Sequence, residues 1–101
     1  MARANTREEI VSTLRAHQTD LRRVGIVSLS LFGSIARGDA RPDSDVDVAI
    51  RLDPDLHLGF KFFGLAEQVG ALLGREVHVT TEPIEKERLR VNVGRDRVHV
   101  F

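Results

Sequence analysis

Two aspartates separated by one residue, Asp45 and Asp47, and a glycine–serine pair, Gly33-Ser34, are the residues of this chain most capable of chemistry together. Ten residues separate Ser34 from Asp45. Strand alternation places both carboxylates on one face, with Cα atoms about 7 Å apart. Two unpaired carboxylates at that separation repel unless a cation lies between them. Hard oxygens on a rigid strand suit Mg²⁺, which takes one or two protein carboxylates and leaves its other positions to phosphates and water. Alone, an Asp-x-Asp would read as two solvated carboxylates on an edge strand. Gly33-Ser34 alters that reading, because it follows an apolar strand directly and opens a short helix. Helix-start amides and a serine hydroxyl attract anions, and Gly33 allows close backbone approach to a phosphate. Gly38 then permits the turn that returns the chain to the aspartates. Phosphate donors beside a metal site are what phosphoryl or nucleotidyl transfer requires.

The elements that must position these groups follow from periodicity. Thr6 with Glu9 is a capping-box pattern, followed by a helical stripe of Ile10, Val11, Leu14 and Leu21, interrupted at His17-Gln18. A first strand is expected over Val24–Phe32, with Val27, Leu29 and Leu31 on one face and Ser28, Ser30 and Phe32 on the other. Asp45–Leu52 reads as the second strand, with Val46, Val48, Ile50 and Leu52 inward and Asp45, Asp47, Ala49 and Arg51 opposite. A helix is expected from about Leu58 to Leu73, striped by Leu58, Phe62, Leu65, Val69, Leu72 and Leu73 and closed by Gly74. Arg75–Thr81 is the third strand. Pro83 suits the first turn of a helix running to about Val93, and Val98–Phe101 suits a short terminal strand. The second strand, helix and third strand form a βαβ unit, so those strands are expected parallel. The link between strands one and two is too short for a crossover helix and implies antiparallel pairing. The fold class is therefore α/β in the broad sense (α+β): a mixed sheet with helices packed on it.

Composition narrows the function. The chain has 101 residues, 42% of them hydrophobic, and 15 basic residues balance 15 acidic ones. One domain over residues 1–101 is expected. Zero formal charge argues against bulk nucleic acid as the main partner. The absence of cysteine excludes thiolate chemistry and cysteine-based zinc sites. No stretch has the length needed to span a bilayer, and the first residues are polar, so a cytoplasmic protein is expected. Other phosphate motifs fit poorly: no Lys-Ser or Lys-Thr follows Gly38, and no Gly-x-Gly-x-x-Gly occurs.

The segment LFGSIARGDARPDSDVDVAI, with its GS-x10-D-x-D core, resembles the signature of the minimal nucleotidyltransferases of the DNA polymerase β superfamily, of the MntA-like antitoxin type. The likeness extends over nearly the whole chain. It implies a nucleotidyltransferase fold and a Mg²⁺-dependent enzyme, with a two-metal site possible, that binds ATP or another NTP and moves NMP, AMP by preference, to a hydroxyl acceptor. Gly33 and Ser34 would contact the triphosphate, and Arg37 and Gly38 match the Ala-Arg-Gly that often follows. Asp45 and Asp47 would be catalytic and bind the metal. The resemblance further implies a toxin–antitoxin setting with a helical HEPN-type protein as partner, and assembly as a homo- or hetero-oligomer. Nucleic acid is not expected as a partner, a tRNA-like acceptor excepted. The other reading is an antitoxin that acts by binding its partner through a weak or inactive site.

One position departs from the family. Fully active members carry a third carboxylate on the strand after the crossover helix, where this chain has His78. Glu76, His78 and Thr80 are expected on the face of Asp45 and Asp47. His78 could serve as a general base, Glu76 could supply the carboxylate through a local shift, or the site could bind nucleotide with weak transfer, imidazole being a poor Mg²⁺ ligand. Elsewhere, His17, His57 and His99 read as surface residues. Glu85, Lys86, Glu87, Arg88 and Arg90 read as a solvated helix face or a contact with a charged partner.

Overall fold

The computed structural model describes residues 4–55 and 64–101. Helix α1 spans Arg7–Ala16 and α2 spans Gln18–Arg23. Thr6 caps α1, its hydroxyl accepting from the Glu9 amide at 3.1 Å. The reciprocal bond of the capping pattern shifts by one residue, with the Asn5 amide donating to Glu9 at 2.9 Å. The interruption at His17 is a real break: one stripe is divided between two helices, and Ile10, Leu14 and Leu21 are all fully buried.

Four strands form one sheet: β1 (Ile26–Phe32), β2 (Val46–Leu52), β3 (Val77–Thr81) and β4 (Val98–His99), in the order β3-β2-β1-β4. β1 pairs antiparallel with β2 and β4, and β2 pairs parallel with β3, as connection lengths required. Between β1 and β2 lies the short helix α3 (Gly33–Arg37). α4 (Leu65–Leu73) precedes β3 and ends at Gly74, and α5 (Glu87–Asp96) precedes β4. The expected start of the crossover helix, with Leu58 and Phe62, lies outside the described residues, as does His57.

Three expectations need correction. Val27 does not face the core with Leu29 and Leu31. The β1–β2 register shifts between Ile26 and Ser28, which oppose Leu52 and Arg51. A bulged strand carries one extra residue, so Ile26 takes the buried place and Val27 is 47% exposed. Asp45 lies just before β2 and not within it. Pro83 does not open the next helix: Glu82–Pro83 is a cis turn, and α5 starts at Glu87 and continues past Val93 to Asp96.

Both sheet faces are covered. Leu29, Leu31, Val46, Val48 and Ile50 join Ile10, Leu14, Leu21, Leu65, Val69 and Leu73 in the main core. On the opposite face Phe32 and Ala49 pack with Ile84, Val93 and Leu89. That second cluster seats α5 on the sheet face that also carries Asp47. Arg97 ties the end of α5 to the sheet, donating to the buried Ser30 hydroxyl at 2.9 Å and pairing with Glu82 at 2.8 Å.

Candidate functional site

The glycine–serine bend and the aspartates meet. β1 and β2 are antiparallel with Phe32 opposite Asp47, so the residue after β1 necessarily lies beside the start of β2. Gly33 has φ +76° there, a conformation that disfavours any side chain. A Cβ at Gly33 would lie 2.5 Å from Asp47 Oδ2. Its glycine therefore serves two needs, the left-handed turn into α3 and room for a carboxylate; the sequence pointed only to close approach of a phosphate. Ser34 is half-buried in the first turn of α3, and Gly38 ends that helix at φ +83°.

Parallel pairing of β2 and β3 puts His78 directly beside Asp47. Strand alternation then carries the imidazole to the carboxylates, and His78 Nε2 lies 2.8 Å from Asp45 Oδ2. Asp45, Asp47 and His78 thus form one cluster at the β2–β3 edge, as their alternation required. Glu76 is exposed close by and its charge also favours the imidazolium.

Burial pushes the Asp47 carboxyl above the usual carboxylate range. Asp45 adds to the rise, while His78 and Arg37 oppose it. The hydrogen bond to Asp45 pushes His78 up. The protein therefore leaves the Asp47 charge undercompensated, which suits a site completed by a cation. Asp45 and Asp47 are the side chains able to hold a divalent cation such as Mg²⁺, which takes one or two protein carboxylates and leaves its other positions to phosphates and water.

Arg37 emerges from α3 toward the end of α5. Its Nε donates to Asp39 at 3.1 Å and its Nη1 to Asp96 at 2.8 Å. Asp96 also accepts from Arg95 Nε at 2.9 Å, and its side chain is 3% exposed. Sequence reading missed Asp96 because it ended α5 at Val93. The signal available was a single acid set among arginines, Arg95-Asp96-Arg97, at a helix end. Hydrogen bonds from Arg95, then from Arg37, hold the Asp96 carboxyl below its ordinary value despite burial. A depressed carboxylate contributes stability that is full above its unfolded pKa and lost as pH falls through the folded one. Acid unfolding below about pH 4 should therefore be shallower in Asp96→Asn than in the wild type when melting temperature is followed against pH. Identical acid slopes would show that the cluster adds no pH-dependent stability.

The chain matches the nucleotidyltransferase domain family over residues 14–99. It is 40% identical over 96 residues to the protein adenylyltransferase MntA of Thermococcus cleftensis, covering 94% of this chain and 96% of that one. A solved structure assigned as a minimal nucleotidyltransferase superposes with a TM-score of 0.66 at 34% identity, covering 87% of this chain and 93% of the other. The same fold occurs in a complex of the tri-AMPylated HEPN toxin of Shewanella oneidensis with its MNT antitoxin, with a TM-score of 0.63 at 17% identity over 90% of this chain and 71% of that one. No helix among the described residues is long and apolar enough to cross a membrane.

Proposed function

This chain belongs to the nucleotidyltransferase domain family and is a nucleotidyltransferase, and we propose that it transfers AMP from ATP to a hydroxyl group on a HEPN-type protein partner, acting as the antitoxin of a pair. The observation that carries the reading is the close approach of Asp47 to Gly33, which supports a site shared by the opening of α3 and the carboxylates. Identity of 40% to a protein adenylyltransferase over nearly the full length of both chains supports AMP and a protein acceptor. The fold shared with an MNT antitoxin bound to an AMPylated HEPN toxin supports the partner class.

Asp45 and Asp47 would hold Mg²⁺, which when bound supplies charge neutralisation on the triphosphate. Ser34 and the first amides of α3 hold phosphate oxygens, with Gly38 allowing the loop to turn clear of them and Arg37 adding a guanidinium on the same side. The acceptor oxygen bonds to the α-phosphorus, the bond from that phosphorus to the α–β bridging oxygen breaks, and pyrophosphate leaves. The hydroxyl proton passes to His78. The proton would be taken on Nδ1 of the neutral imidazole, with Nε2–H donated to Asp45; because Asp45 raises the His78 pKa, this form gains weight as pH rises.

Incubating the chain and its partner with α-labelled ATP tests the reading: label on the partner supports it, and a stable complex without label contradicts it. His78→Ala should lower transfer by about 10²- to 10⁴-fold and leave ATP binding close to wild type. A second reading, an antitoxin that acts mainly by binding, draws on His78 standing where active relatives are expected to carry a carboxylate. His78→Asp separates the two, since transfer raised well above wild type favours the second.

A further inference from the structure

The last helix does more than cover the sheet. We infer that Asp96 is a positioning residue for the nucleotide site, holding Arg37 so that its remaining nitrogen, Nη2, is available to the triphosphate. The inference rests on the proposed nucleotide reading of the Gly33–Asp47 space and adds to it a residue far off in sequence.

Arg37 is the last residue of α3, the helix whose first turn would hold the phosphates. An arginine side chain has many rotamers and, unheld, would spend little time at a phosphate. Here two of its nitrogens are taken. Nη1 donates to Asp96 Oδ2 at 2.8 Å, and Nε donates to Asp39 Oδ2 at 3.1 Å. Nη2 has no protein acceptor among the described residues, and the side chain as a whole remains 40% exposed. The guanidinium is thus held through two of its nitrogens and open at the third, Nη2.

The holder is itself held. Asp96 is buried, receives Arg95 Nε on Oδ1 and Arg37 on Oδ2, and lies one turn beyond Val93, which packs against Phe32 and Ala49. Phe32 is the residue just before Gly33, so one small cluster fixes α5, the bend and the arginine clamp relative to each other. Arg37 follows Gly33 by four residues in α3, which puts it on the helix face of the glycine that Asp47 approaches. A buried carboxylate with two arginine partners would be satisfied structurally by Arg95 alone. The extra pairing across 59 residues of sequence, from the motif helix to α5, is what a positioning role requires.

The test is the dissociation constant of a fluorescent ATP analogue with Mg²⁺, measured on the full chain in a double-mutant cycle of Asp96→Asn and Arg37→Ala. Asp96→Asn should weaken binding about tenfold, and in the Arg37→Ala background it should weaken it no further. Arg95→Ala, which leaves the Asp96–Arg37 pair in place, should weaken binding less than Asp96→Asn does. Asp39→Asn alters an exposed side chain and should give a smaller loss of the same kind, so the idea stays testable if Asp96→Asn folds poorly. Unchanged binding in Asp39→Asn and Asp96→Asn overturns the inference, as does an Asp96→Asn loss that is equal with and without Arg37. If Asp47→Asn still binds the analogue with Mg²⁺ normally, the nucleotide reading itself fails and this inference with it. Normal loss in Asp47→Asn beside an additive cycle removes the Asp96 role alone.

Discussion

Asp47→Asn should abolish transfer and at the same time make the protein more stable. The two effects have one cause. Burial raises the Asp47 carboxyl pKa, so the folded state binds its proton more tightly than the unfolded chain does. Folding therefore gains stability as pH falls through the raised value and carries the full deficit at neutral pH, where the carboxylate is ionised. Asparagine imitates the protonated group in size and removes the charge. Relieving that deficit should raise the melting temperature, which in a domain of this size moves by about 4–8 °C for each kcal/mol. The neutral amide would be a poor Mg²⁺ ligand, so transfer should fall at least about 10²- to 10³-fold, as when a preorganised electrostatic contact is lost. Calorimetry and labelled-ATP transfer on the same preparation check both halves. A variant that is inactive and also less stable would point to misfolding instead of a strained functional carboxylate.

Gly33→Ala should be costly for the opposite reason. At φ +76° an alanine is strained whatever surrounds it, by about 1–3 kcal/mol. Its Cβ would in addition lie 2.5 Å from Asp47 Oδ2. Asp47 is a short side chain on a strand paired on both sides, so the conflict must move either the carboxylate or the bend. A shift of about 1 Å in a reacting group can cost roughly 10²-fold in rate. Transfer should fall by at least that factor, with a lower melting temperature. The steric part is separable: combined with Asp47→Ala, which removes the opposing oxygen, Gly33→Ala should destabilise less than it does alone. Equal destabilisation in both backgrounds would show that the strain is purely conformational and that the bend and carboxylate are not in contact.

Much of this arrangement could be read from the residues. Alternation from Asp45 to Leu52 identified the buried Val46, Val48 and Ile50 and the opposite face of Asp47. The length of the link after Phe32 decided the antiparallel pairing, and the helix between the second and third strands decided the parallel one. Together these pairings bring Gly33, Asp47 and His78 to one place, since register fixes what lies beside what. What was not legible has identifiable causes. The bulge that turns Val27 outward depends on cross-strand register, which period-2 counting cannot detect. The start of α5 is not legible from the proline preference at helix starts, since Pro83 stands four residues before the helix begins. Asp96 was invisible because Arg37, its long-range partner, is joined to it only by tertiary packing of α5 on the sheet. Its burial follows from that packing and not from its residue type.

The central claim is that the Gly33-Ser34 bend and the Asp45–Asp47 pair hold one metal and the phosphates of one nucleotide. Paramagnetic broadening of the backbone amide NMR spectrum by Mn²⁺ with a non-hydrolysable ATP analogue tests it most directly. The account predicts that amides of Gly33 to Ala36, Asp45 to Asp47 and His78 broaden together, and that Asp47→Asn abolishes the effect. Broadening confined to the aspartates with the α3 amides sharp, or centred on another face of the molecule, would contradict it.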